Sequence, residues 1–125
     1  MEKGNSSLDI QVTLDGQEKL LVYLTGKITD TETSSLLVEQ VSAQLSEERN
    51  RVFISLENLN YINSNGLNSL IALLTKSRTR GGDLTLCNVN EKVSKLLLIT
   101  KLNTVFNIED SIENALENTI HTNEK

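Results

Sequence analysis

The chain has 125 residues and a mass of 13.9 kDa, enough to build the core of one domain without disulfides or a structural metal. Twelve basic against seventeen acidic residues give a formal charge of −5, and two Phe, two Tyr and no Trp leave few stacking platforms, so direct nucleic-acid binding is not expected. One cysteine, Cys87, excludes an internal disulfide framework and a multi-cysteine zinc site, and one histidine, His121, gives little basis for a histidine-centred catalytic site or a metal.

Leu8, Ile10, Val12 and Leu14 alternate with polar residues, the period of a strand with one buried face. Asp15-Gly16 is a turn dipeptide, and Leu20 to Leu24 read as a second strand that forms a hairpin with the first. Thr29 and Glu32 have capping-box spacing, and Leu37, Val38, Val41 and Leu45 make the stripe of an amphipathic helix ending near Ser46 to Asn50. Val52, Phe53, Ile54 and Leu56 form a short apolar strand of the kind covered on both faces. Behind Asn63-Ser64-Asn65-Gly66, the residues Leu67, Leu70, Ile71 and Leu74 recur at helical spacing, with Lys76, Arg78 and Arg80 at the far end and Gly81-Gly82 as the stop. Leu84, Leu86 and Cys87 make another strand. Asn88 and Glu91 repeat the capping-box spacing before Val93, Leu96 and Leu97. After Phe106 and Ile108, a last helix opens at Asp110 and Glu113 and buries Ile112, Leu116 and Ile120.

Strands alternating with helices predict one sheet with helices packed on it. No linker or internal repeat divides the chain. No apolar run reaches the length of a membrane span, and Met1-Glu2-Lys3-Gly4-Asn5 is not a secretory leader, so the expected location is the cytoplasm, without membrane insertion.

Catalytic candidates are scarce. There is no phosphate loop of the GxxxxGK[ST] type and no GxGxxG. Cys87 ends an apolar strand and reads as a buried, inert thiol; His121 lies toward a tail; the carboxylates are scattered over helix surfaces and caps. The basic trio Lys76, Arg78 and Arg80 reads as a helix C-terminus. The segment Asn63-Ser64-Asn65-Gly66 admits two readings. By residue type it is a turn with a helix cap. By position it is also a place where a serine hydroxyl sits beside unpaired backbone N–H groups, able to carry a phosphate as a switch.

The run Val52-Phe53-Ile54-Ser55-Leu56-Glu57-Asn58-Leu59, with Ile62-Asn63-Ser64-Asn65-Gly66-Leu67, resembles the core of the STAS domain (sulfate transporter and anti-sigma factor antagonist). In the bacterial anti-sigma factor antagonists of that family the stretch ends in Asp-Ser-Ser/Thr-Gly-Leu and its first serine is phosphorylated; aligned on Gly66-Leu67, that serine is Ser64. Gly26-Lys27-Ile28, Gly81-Gly82-Asp83-Leu84 and the later pattern from Val93 through Leu102 to Phe106 are similar to further family segments, so the resemblance runs from Leu8 to Leu116. Asn63 replaces the usual Asp, Asn65 the usual second Ser or Thr, and Thr29 a frequent Asp.

The resemblance implies an α/β fold: a STAS-like single domain over residues 8–118, with a mixed four- to five-stranded sheet, helices mainly on one face, and frayed ends at 1–7 and 119–125. It implies a non-enzymatic anti-sigma factor antagonist in a partner-switching pathway, without cofactor or metal. Its partners are an anti-sigma factor with a serine-kinase domain and a serine phosphatase. Phosphorylation is expected at Ser64, and partner contacts at Thr29, Asp30, Asn63, Ser64, Asn65, Gly66, Leu67 and Asn68. The alternative is a phosphorylation-independent scaffold subunit of a signalling complex or of a lipid-transport ATPase.

Overall fold

The computed structural model describes residues 8–123, with side chains as far as Glu117. Five strands form one sheet whose spatial order is the chain order: β1 (Leu8–Asp15), β2 (Lys19–Ile28), β3 (Arg51–Ile62), β4 (Asp83–Cys87) and β5 (Asn107–Glu109). The β1–β2 hairpin is antiparallel and turns at Gly16, whose φ of 72° is left-handed; the remaining pairs are parallel. The helices are α1 (Thr31–Ser42), α2 (Ser64–Thr79), α3 (Glu91–Ile99) and α4 (Ile112–Asn123).

A parallel pair needs a crossover, and each crossover here is a helix. The helices α1, α2 and α3 meet one face of the sheet, where Leu37, Val41, Leu67, Leu70, Leu73, Leu74, Val93 and Leu97 join Leu20, Val22, Leu24, Val52, Ile54, Leu56, Leu84 and Leu86 in the main core. On the other face Phe53 and Cys87 pack with Ile112 and Ala115 of α4. β3 is thus covered on both sides, as its apolar residues Val52, Phe53, Ile54 and Leu56 predict, and helices lie mainly on one face.

Several boundaries differ from the sequence reading. The helix α1 ends at Ser42, and Ser46 closes a separate turn beyond it, its hydroxyl accepting from the Arg49 N–H at 2.9 Å. Leu45 is buried from beyond the helix. In α2 the inner stripe takes Leu73, and Ile71 is only partly buried at its flank. The helix α4 runs to Asn123 and so includes His121. The expected burial of Ile120 lies outside the described side chains.

Candidate functional site

Three strand-to-helix junctions stand side by side where β2, β3 and β4 end, the edge of a parallel sheet at which ligands and partners are commonly met. Each begins its helix with a polar cap, and the caps are not always the residues that spacing suggests.

At the first junction the cap is Asp30 and not Thr29. Asp30 Oδ1 accepts from the Thr33 backbone N–H at 2.7 Å and from the Thr33 hydroxyl at 2.8 Å. Those bonds, the backbone one first, hold the Asp30 carboxyl below its ordinary value. At the third junction the cap is Asn90 and not Asn88. Asn88 adopts left-handed backbone, φ 54°, which Asn tolerates, and that turn carries the chain to Asn90. Asn90 Oδ1 accepts from Val93 N–H at 3.0 Å, and its amide donates to the Leu59 carbonyl at 2.8 Å.

The middle junction has the same construction. Asn63 is the cap of α2, its Oδ1 accepting from the N–H groups of Asn65 at 3.0 Å and Gly66 at 3.4 Å. The Asn63 amide donates to the Thr29 carbonyl at 2.8 Å, and its backbone N–H donates to Ile28 O at 3.2 Å. One side chain therefore starts α2 and ties it to the end of β2. Ser64 is the first residue of the helix; it is exposed, and its hydroxyl makes no hydrogen bond among the described residues.

Gly66 is required by space. A Cβ there would collide with the Ile62 side chain and lie 3.1 Å from Ile28 Cβ, so the helix is seated directly on the sheet. Both Gly66 and Leu67 are buried, Leu67 at 4% exposure. They lie beneath the surface that the other expected contacts form. The expected residues that reach the surface together are Thr29, Asp30, Asn63, Ser64, Asn65 and Asn68.

A shallow groove of about 390 Å³ continues this surface between α1 and α2, lined by Thr31, Ser34 and Val38 on one side and Asn65, Asn68 and Ala72 on the other. Asn65 and Asn68 belong to the expected contacts, whereas Ala72 and the α1 side of the groove do not. Its signal was the small side chains three, four and seven residues apart on both helices.

The other candidates serve structure. Burial, with Glu109 and Glu113 nearby, pushes the Cys87 thiol up to about 12, so it is an unreactive core group. Arg78 pairs with Asp83 at 3.0 Å, and Arg80 donates to the Lys76 carbonyl at 3.2 Å, closing the end of α2. Among the described residues no cluster of His, Cys, Asp and Glu could hold a metal, and no helix is long and apolar enough to cross a membrane.

The STAS domain profile matches residues 10–115. The anti-sigma F factor antagonist of Paenibacillus polymyxa is 30% identical over 98 residues, which are 78% of this chain and 83% of that protein. Among solved structures, an anti-sigma factor antagonist from Mycobacterium paratuberculosis superposes with a TM-score of 0.76 at 21% identity, covering 89% of this chain and 92% of that one. The anti-sigma factor antagonist SpoIIAA in its unphosphorylated form gives 0.77 at 16% identity, covering 91% and 97%. These last two likenesses establish the shared fold.

Proposed function

The chain belongs to the STAS domain family, and on that premise we propose that it is an anti-sigma factor antagonist released from its partner by phosphorylation of Ser64. The carrying observation is electrostatic. The helices α1, α3 and α4 each have an acidic residue in the first turn, Glu32, Glu91 and Glu113, whereas α2 has none and is capped by a neutral amide. The positive end of its dipole is uncompensated, and Ser64 holds an exposed hydroxyl there. A phosphoryl group on that oxygen brings roughly −1.5 to −2 charges to a helix end suited to anions, so the fold accepts it.

The surface offered to a partner changes instead. Unmodified, the residues that flank Ser64 on α2, Asn63, Asn65 and Asn68, are neutral, and Asp30 brings the one charge among the expected contacts. A partner shaped to a hydroxyl at that point would meet a desolvated dianion, at a cost of several kcal/mol, sufficient to reverse a choice between partners. The partner in this reading is an anti-sigma factor with a serine-kinase domain, acting in the cytoplasm, and a serine phosphatase restores the hydroxyl. The chain itself is a binding module with no catalytic step.

The test is to incubate the protein with ATP and the serine-kinase anti-sigma factors of its own organism, then map the phosphate and measure binding of Ser64→Asp. Phosphate on Ser64 and weakened binding by Ser64→Asp are expected. The amides at Asn63 and Asn65, which depart from the family pattern, favour a second reading as a phosphorylation-independent scaffold. Phosphate on another residue would overturn the assignment to Ser64, and absence of phosphate with undiminished binding by Ser64→Asp would establish the second reading.

A further inference from the structure

We propose that Asn65 is a deamidation site, which gives the chain a slow, kinase-independent route to negative charge in the first turn of α2. The inference does not depend on phosphorylation of Ser64. Asn65-Gly66 is the single Asn-Gly step in the sequence. Glycine has no side chain to hinder its backbone nitrogen from attacking the preceding carboxamide. The bond formed joins Gly66 N to Asn65 Cγ, and the bond broken is Cγ–Nδ2. Ammonia leaves with the proton given up by the Gly66 amide, and water then opens the succinimide ring to aspartate or isoaspartate. One water enters and one ammonia departs, with no oxidant or reductant.

The local structure leaves the reacting groups lightly held. Gly66 is the third residue of α2, where a backbone N–H has no acceptor within the helix, and its one bond is the long 3.4 Å contact to Asn63 Oδ1. The Asn65 carboxamide makes no hydrogen bond among the described residues. By contrast, Asn63 and Asn90 are fixed through both ends of their amides. Burial of Gly66 against Ile28 and Ile62 opposes the reaction, as does the helical geometry. Ring closure therefore proceeds through opening of the first turn, and the Asn63 cap controls that opening. Once formed, an aspartate at position 65 supplies the charge that α2 lacks. An isoaspartate adds a carbon to the backbone and breaks the turn. Either product alters the surface next to Ser64.

The experiment holds the purified chain in mildly alkaline buffer at physiological temperature, with samples taken over weeks for ion exchange and peptide mass mapping. The expected result is an acid-shifted species whose amide-to-acid mass gain lies on Asn65, ahead of the Asn-Ser steps at Asn5, Asn63 and Asn68. Asn65→Gln should abolish that species. Loss of the cap in Asn63→Ala should speed the reaction by about 2- to 30-fold, the range that follows from the worth of a capping residue. Asn63→Ser, which retains a capping oxygen, should fall between and serves if the alanine variant is poorly folded. Deamidation that appears first at another asparagine, or a rate at Asn65 indifferent to both cap variants, overturns the proposal.

Discussion

The junctions that begin α2 and α3 are built alike and charged differently. Each is started by an asparagine whose oxygen caps the helix and whose amide holds a backbone carbonyl of the neighbouring strand in the sheet or the loop beyond it: Thr29 for Asn63, Leu59 for Asn90. Seven residues beyond each cap stands a leucine at or below 1% exposure, Leu70 and Leu97. The difference is the first helical residue, Ser64 in α2 and Glu91 in α3. Glu91 sets an acidic side chain against its helix dipole, whereas Ser64 offers an exposed hydroxyl, on which the proposed function places and removes a charge. One architecture thus serves as a fixed joint in one place and as a candidate switch in the next.

The strongest test of this equivalence is the buried leucine. Leu70→Ala and Leu97→Ala should each cost about 2–5 kcal/mol in urea denaturation, because both leave a cavity under a helix. A loss below about 1 kcal/mol for Leu97→Ala alone would show that α3 is not seated as α2 is.

The caps come next. Asn63→Ala and Asn90→Ala should each lose about 0.5–2 kcal/mol through the helix end. Asn63→Asp and Asn90→Asp keep the capping oxygen but remove the donor to Thr29 O or Leu59 O. Their hydrogen exchange should therefore rise in the adjoining strand end more than in the helix. Equal protection in wild type and aspartate variants would show that the two amide clamps contribute nothing.

At the first helical residue the signs should oppose. Ser64→Asp should stabilise by about 0.3–1 kcal/mol at low salt, and Glu91→Gln should destabilise by a similar amount, both fading as salt is raised. Thermal melts at two ionic strengths measure this directly.

The smallest effect belongs to α1, whose cap is a carboxylate. The Asp30 carboxyl is lowered in the folded chain, so its stabilising contribution is complete above the ordinary value of 3.8 and is lost as pH falls through the folded value. Asp83 is also lowered and titrates in the same acid range, so the informative quantity is the difference between wild type and Asp30→Asn. That difference should shrink on acidification through this range, as followed by urea midpoints. A constant difference would argue against the cap.

Most of the architecture is legible in the sequence, because period and composition report local geometry. Alternation at Leu8 to Leu14 and the apolar cluster Val52, Phe53, Ile54 and Leu56 correspond to an edge strand and a central one. The caps are less legible because Thr29, Asp30, Asn88 and Asn90 are all competent capping types. The choice among them is made by backbone direction, such as the left-handed turn at Asn88, which residue type does not report. At the site, the exposed serine ahead of a helical stripe is readable. The Asn63–Thr29 bond joins residues 34 apart in the chain and is not. Gly66 shows the same limit. A glycine in a polar loop reads as a turn former, but its necessity here comes from Ile28 and Ile62, which arrive from two different strands.

A sheet whose spatial order equals its chain order also has a kinetic meaning. Each strand after the first adds beside the one most recently made, so every pairing closes only the intervening helix or turn, and no strand waits for a distant segment. The entropy of loop closure is taken in modest instalments, which suits growth from the hairpin outward along the nascent chain. The β3–α2 junction is complete once residue 79 has emerged, while the last two strands are still to come. The surface around Ser64 is therefore assembled by the earlier part of the polypeptide, and the later part stabilises a site already in place.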